Sequence, residues 1–292
     1  MAKIWFITGS SRGLGRSLTE AVLATGDKVA ATARNPQQLD DLKTKYPDTL
    51  YSIKLDVTDH DQVVTAVSDA VRHFGRIDVL VNNAGFGITG AAEAYTQEQV
   101  NSQLATNLFA PIDITRTVLP YMRKQRSGFI MEVSSLGGRV GTSGLTIYQA
   151  SKWGLSGFSE ALAEEVAPLG IKVTCVEPGG FRTNWAGDSM EYAADVEGYE
   201  ATVGKRSEYF RSGKWVPLGD PDKAAQVMVK LADEPNPPVH LVLGSEAIAI
   251  LGNVNTRREE EMKKWLPVSL STDADDADKE QFLSTEFAKR FK

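Results

Sequence analysis

One cysteine in 292 residues rules out an intrachain disulfide. Cys175 stands in the apolar run VTCV, where an isolated thiol reads as a small core residue rather than a nucleophile. Histidine is almost as scarce. His60, His73 and His240 share no metal-ligand spacing, so no metal site is expected and all three read as structural or surface residues. Positive charge is not in excess: 32 lysines and arginines against 38 acids leave a formal charge of −6. That balance argues against a nucleic-acid partner or an anionic membrane surface. No apolar run approaches the roughly 18–20 residues that cross a bilayer. The amino terminus enters the strand-like KIWFIT without a leader pattern, so the expected location is cytoplasmic. Internal repeats and a linker between two cores are also missing, which leaves one large domain as the expectation.

What is present alternates. Residues 4–8, 28–33, 50–56, 77–81, 129–133, 171–177 and 239–244 read as seven short strands, several of them continuous apolar runs of the kind found in parallel sheets covered on both faces. Helical periodicity separates them at 59–74, 97–125, 147–168 and 222–231. Strands alternating with helices predict a single doubly wound α/β domain, a parallel sheet with helices on both faces. Between 184 and 215 the periodicity fades, and six aromatics (Trp185, Tyr192, Tyr199, Tyr209, Phe210, Trp215) lie among charges. An insertion of that length is expected to act as a lid or binding loop. Residues 251–292 read as a helical extension of the same domain, with the acidic stretch at Asp273, Asp275, Asp276 and Asp278 as a solvated linker.

Chemistry concentrates at strand ends and helix starts. In Thr8-Gly9-Ser10-Ser11-Arg12-Gly13-Leu14-Gly15 the glycines permit a tight turn, close backbone approach to a pyrophosphate and close helix–sheet packing. The helix start that follows presents free N–H groups to phosphate. Arg34, after the second strand, stands where an enzyme preferring NAD carries an acid; a guanidinium there suits the 2′-phosphate of NADP, with Arg12 as a second cation. Asp56 ends the third strand within reach of an adenine. The small residues of Asn82-Asn83-Ala84-Gly85 leave room for a cofactor ring after the fourth. Asn107 lies in a buried helical stretch and needs a partner there, either backbone or a proton-relay water. Tyr148 and Lys152 are four apart on a helix, hence on one face. A cation that close is expected to lower the phenol's pKa toward the range useful for general acid–base work, and Ser135 to offer a second hydrogen bond.

These motifs, in this order and at these intervals over about residues 2–183, resemble the short-chain dehydrogenase/reductase superfamily in its single-domain branch, and strand seven extends the match to about Gly244. The resemblance implies a Rossmann fold of seven parallel strands in the order 3-2-1-4-5-6-7, with Asn107, Ser135, Tyr148 and Lys152 as catalytic residues. It implies that Gly9, Ser11, Arg12, Gly13, Leu14, Gly15, Arg34, Asp56, Val57, Asn83, Ala84, Gly85, Tyr148, Lys152, Pro178, Gly179 and Thr183 hold NADP(H), with Thr183 at the nicotinamide carboxamide. It further implies a homodimer or homotetramer built on the helices after strands four and five. The Asn-Ala-Gly-Phe-Gly and Pro-Gly-Gly-Phe-Arg-Thr-Asn turns look most like the 17β-hydroxysteroid and retinol dehydrogenase-like group. The expected activity is therefore interconversion of a hydrophobic ketone or aldehyde and its alcohol, over residues 1–250. The alternatives are a 3-oxoacyl (acyl-carrier-protein) reductase, from which residues 253–292 depart, and a non-enzymatic NADP(H) sensor or scaffold, whose kind typically lacks the Tyr or Lys. Sugar-nucleotide lyase or epimerase chemistry would call for a larger carboxyl-terminal domain and another glycine spacing.

Overall fold

Strand β1 (Ile4–Ile7) is wholly buried, and its side chains divide between two cores. Trp5 and Ile7 point to one face of the sheet, where they join Leu18, Val22 and Met228; Phe6 points to the other, among Ile114, Val118, Ile130 and Leu162. The alternation is the period-2 geometry of a strand, and burial on both sides explains why the run carries no polar residue. In this computed structural model, which describes residues 2–187 and 189–289, six further parallel strands extend the sheet. They are β2 (Lys28–Ala33), β3 (Leu50–Lys54), β4 (Val79–Asn82), β5 (Gly128–Val133), β6 (Ile171–Pro178) and β7 (His240–Leu243). Their spatial order is β3-β2-β1-β4-β5-β6-β7, as the resemblance implied.

Helices Gly13–Ala24 and Pro221–Leu231 cover the Trp5 face; His60–Phe74, Ala110–Gln125 and Thr146–Val166 cover the Phe6 face. Parallel strands need such crossovers, which bring every strand's carboxyl end to one edge. The chemistry collects on that edge because residues directly after β1, β4, β5 and β6 emerge side by side.

The stretch 97–125, expected as one long or two consecutive helices, is two, Gln97–Leu104 and Ala110–Gln125, joined by a π-helical turn at Ala105–Phe109 that contains Asn107. Two local features differ from the sequence expectations. A three-residue parallel pair, Gly87–Thr89 with Met190–Tyr192, lies outside the main sheet; strands that short carry no readable period. The stretch 184–215 is largely structured: it holds the turn Asn184–Ala186, the strand Met190–Tyr192, the π turn Glu200–Gly204 and the helix Lys205–Arg211, with Asp188 outside the described residues. Backbone pairing with 87–89 and contacts among aromatics supply the order that sequence periodicity does not announce.

The chain divides into two compact units, Met1–Leu251 and Gly252–Lys292. The second holds the later turns of helix Ser245–Leu270, then Lys279–Ser284 and Glu286–Lys289, and residues 290–292 lie outside the described residues. Met262, Trp265 and Leu266 are exposed on it. No described helix is long and apolar enough to cross a membrane.

Candidate active site

The loop after β1 is a backbone cradle. Gly9 has φ +67°, and a Cβ there would sit 3.0 Å from Ala84 Cα; Gly13 has φ +55°. At Gly15 a Cβ would lie 2.3 Å from both the Gly9 carbonyl and Asn83 Nδ2. A side chain at either Gly9 or Gly15 would therefore push the turn open. The cradle is tied to the loop after β4: Asn83 Nδ2 donates to Thr8 O (2.9 Å) and Gly9 O (3.2 Å), while Thr8 Oγ1 accepts from the N–H groups of Asn83 and Ala84 (2.9 and 3.0 Å). The N-cap residue Arg12 does not cap helix Gly13–Ala24 with its side chain, and the helix start at Gly13 and Leu14 lines the cavity. Ser11, Arg12, Gly13 and Leu14 line that cavity, and Gly15 packs behind it.

Arg12 and Arg34 line the same cavity, both exposed and neither ion-paired among the described residues. Two free guanidiniums beside a helix amino terminus suit a phosphorylated ligand, so the residues present fit a dinucleotide. Asp56 and Val57 line the cavity too, but the Asp56 carboxylate is engaged locally, accepting from Thr58 N (3.0 Å) and Thr58 Oγ1 (2.7 Å).

Tyr148 and Lys152 project from helix Thr146–Val166, and both are buried. Lys152 Nζ donates to Val133 O at 2.8 Å and lies 6.0 Å from the centre of the Tyr148 ring. Burial pushes the Tyr148 phenol up to about 12, with a hydrogen bond to the Ser135 side chain pulling the other way. The expected lowering of the phenol does not emerge in this geometry: the ammonium, donating to a main-chain carbonyl, stands 6.0 Å from the ring centre, and burial is the dominant influence on the phenol. Burial in turn brings Lys152 down to about 8. Ser135 leaves β5 one residue after Ser134, and its Oγ accepts from Gly137 N (3.0 Å), which shapes the turn Leu136–Gly138.

Asn107 is fully buried and does not line the cavity. Its Oδ1 accepts from Phe86 N (3.1 Å) and its Nδ2 donates to Phe86 O (2.8 Å), so its amide is used by backbone. Gln103, which sequence reasoning passed over, does the same one turn earlier, bonding Phe86 O (2.7 Å) and Ile88 N (3.0 Å). Between them these amides hold the loop after β4, with Gly85 set between Asn107 Oδ1 and Lys152 Nζ. Ala84, Gly85, Pro178, Gly179 and Thr183 complete the wall, where Thr183 Oγ1 caps the turn Asn184–Ala186.

The cavity has a volume of about 1310 Å³. Part of its wall is aromatic. The Trp185 ring lies 5.3 Å from that of Tyr148, with Phe210 at 6.1 Å and Trp215 at 6.3 Å from Trp185. Phe86 and Leu145 extend this surface.

A buried acid escaped the sequence reading altogether. Glu132, fully buried on β5, receives hydrogen bonds at Oε1 from Asn82 Nδ2 (3.0 Å) and Thr115 Oγ1 (2.8 Å). Its Oε2 and the Asn82 Oδ1 have no partner. A proton on Oε2 would give the pair a donor between two acceptors. Burial pushes Glu132 up to about 7, moderated by those hydrogen bonds and by Lys152. Because the folded pKa lies above the ordinary value, this group's contribution to stability is full below about pH 4.5 and is lost as pH rises through 7. Glu132→Gln is therefore expected to stabilise the protein at pH 8 relative to pH 5, by on the order of 3 kcal/mol against the parent. Urea unfolding at both pH values checks this; identical pH slopes in the two proteins would refute it.

Among the described residues, Cys175, Glu177 and His240 bring potential ligand atoms within 4.8 Å of one another. The Glu177 carboxylate is already engaged on both oxygens. His240 Nδ1 meets Glu177 Oε1 at 2.9 Å, Arg139 sits 3.3 Å from Oε2, and burial drives the Cys175 thiol up to about 11.

Residues 3–193 match the family model described as short chain dehydrogenase. The oxidoreductase BOA17 of Botryotinia fuckeliana is 45% identical over 273 residues, covering 93% of this chain and 100% of its own. The 3-ketodihydrosphingosine reductase of Bacteroides thetaiotaomicron is 34% identical over 274 residues, covering 91% of this chain and 93% of its own. A solved short-chain dehydrogenase from Streptomyces avermitilis superposes with a TM-score of 0.89 at 39% identity, covering 94% of this chain and 100% of its own. A metagenomic short-chain oxidoreductase in complex with NADP gives 0.66 at 25% identity, covering 82% and 96%.

Proposed function

This chain belongs to the short-chain dehydrogenase/reductase family of oxidoreductases, and within it we propose an enzyme that interconverts a hydrophobic ketone or aldehyde and its alcohol with NADP(H). The observation that carries the reading is the meeting, in one cavity, of a glycine cradle, two unpaired arginines, the Tyr148 phenol beside Ser135, and an aromatic wall. Apolar pockets with few polar anchors take apolar ligands, which supports the hydrophobic substrate. The relative named as a ketone reductase and the neighbour bound to NADP support the reaction class and the cofactor.

When bound, NADPH supplies the hydride for the carbonyl carbon. Gly9, Ser11, Gly13, Leu14 and Gly15 hold its pyrophosphate, Arg12 and Arg34 its 2′-phosphate, Asp56 and Val57 its adenine end. Asn83, Ala84, Gly85, Pro178, Gly179 and Thr183 hold the nicotinamide end. Ser135 orients the substrate oxygen, and the protonated Tyr148 phenol gives that oxygen its proton. A phenol held near 12 is in the correct state for this at neutral pH. Lys152 holds the ribose hydroxyls and places positive charge near the phenol. Asn107 is a positioning residue that fixes the Phe86 loop. Residues 184–215 act as the lid on this domain, and 251–292 as its helical extension. A panel of carbonyl compounds followed by NADPH absorbance tests the proposal. Turnover of apolar ketones above aldoses and acyl thioesters is expected; the reverse order would refute the substrate class.

The same reading includes a homodimer or homotetramer, supported by Phe109 (59% exposed) and Trp153 (43% exposed) beside or on the helices Ala110–Gln125 and Thr146–Val166. Light scattering should find the parent as a dimer or tetramer and Trp153→Glu as a smaller species; a monomeric parent at micromolar concentration removes the idea.

A further inference from the structure

Besides Arg12 and Arg34, a third guanidinium in the cavity has no ion-pair partner among the described residues, and it alone of the three is not exposed. Arg206, on helix Lys205–Arg211, is half-buried, and its Nε is shut off from solvent with no hydrogen-bond partner. The carboxylates that line the same cavity, Asp56, Glu191 and Glu246, form no ion pair with it. Burial disfavours its charge, as expected for an unpaired cation out of water. What the side chain does touch is apolar: its guanidinium lies 6.0 Å from the centre of the Phe210 ring, and its Cδ packs where a Cβ on Gly144 would be 3.3 Å away. Phe210 in turn meets Trp185, and Trp185 meets Tyr148. An apolar floor thus runs from the phenol to a cation that lacks an anion.

We propose that Arg206 is the anion-recognising end of the substrate subsite, so that the substrate is a ketone or aldehyde with an apolar body resting on Trp185 and Phe210 and a carboxylate or phosphate bound by Arg206. This rests on the oxidoreductase reading and narrows its substrate class. The planar fork of a guanidinium binds both anions through paired charge-assisted hydrogen bonds. The energy cost of burying Arg206 alone is offset when the anion arrives, which makes the contact a discriminator against neutral ketones. The neighbouring Lys205, which also lines the cavity, is exposed and keeps its hydration, so it adds long-range attraction rather than selection.

The test separates binding from turnover. With the protein saturated in NADPH, so that the cofactor's own anion sites are filled, calorimetry compares ω-phenylalkyl carboxylates and phenylalkyl phosphates of graded length with the matching neutral amides. The parent should prefer one anion series by about 10–100-fold. Arg206→Gln should erase that preference and Arg206→Lys should keep part of it. The anion series that binds tighter names the group. Equal affinity for anion and amide, absence of binding by every probe, or survival of the preference in Arg206→Gln each overturns the proposal. A merely structural Arg206 would weaken acid and amide alike. If the preference holds while no carbonyl compound oxidises NADPH, the failure is that of the oxidoreductase reading and the anion subsite stands.

Discussion

Tyr148→Phe is expected to lower the carbonyl-reduction rate by about 10²–10⁴-fold while leaving NADPH binding within a few-fold of the parent. The substitution removes one hydroxyl and opens no cavity, so the fold and the cradle are untouched and the whole loss falls on proton delivery. The pH dependence makes the prediction sharper. With its phenol held near 12, the parent keeps Tyr148 protonated throughout the neutral range, so reduction should not depend on Tyr148 ionisation there. The charge that changes is Lys152, at about 8: its ammonium is lost as pH rises through that value, and reduction should decline with it. The reverse reaction needs the phenolate and should climb about tenfold per pH unit while the pH remains below the phenol's pKa. Steady-state rates in both directions, from about pH 6 to 10, check both statements. A Tyr148→Phe protein that keeps most of the parent rate would show that another group delivers the proton.

The sheet was legible because its physics is written locally. IWFI in β1 and VLVN in β4 are short, apolar or nearly so, and bounded by glycine or asparagine turns, which suits strands covered on both faces. The glycine cradle was legible for the same reason: Gly9 and Gly15 are required by close approaches of backbone, and only glycine meets that requirement. What could not be read depends on partners distant in the chain. Lys152 sits one turn from Tyr148 in sequence, yet its ammonium is directed by the carbonyl of Val133, a residue of β5. Asn107 announced a need for partners but not that Phe86 would use both ends of its amide. Glu132 looked like an incidental acid in a strand, because only the fold reveals that Asn82 and Thr115 converge on it. The aromatic wall and Arg206 belong to a stretch whose order comes from a three-residue strand pair, below the length at which periodicity carries a signal.

The cofactor offers the other large effect. The parent is expected to bind NADPH at least about tenfold more tightly than NADH, and Arg34→Asp to weaken NADPH by about 10²–10³-fold. The argument starts from β2, which ends at Ala33 and sets Arg34 at the rim of the cavity with no carboxylate paired to it among the described residues. A free guanidinium there has its donors available for a dianionic phosphate; each charge-assisted hydrogen bond contributes about 1.5–3 kcal/mol. The aspartate removes those donors and adds a like charge, so NADPH loses on both counts. NADH should gain, because a carboxylate at this strand end can accept from the adenosine ribose hydroxyls. Arg12 remains in Arg34→Asp and keeps some attraction for the 2′-phosphate, so NADPH should still bind measurably while the preference passes to NADH. Adding Arg12→Ala should widen that preference. Fluorescence titration of both nucleotides against the parent, the single variant and the double variant measures all of this. If the parent binds NADH as tightly as NADPH, the two arginines are solvated surface charges and the cofactor assignment falls.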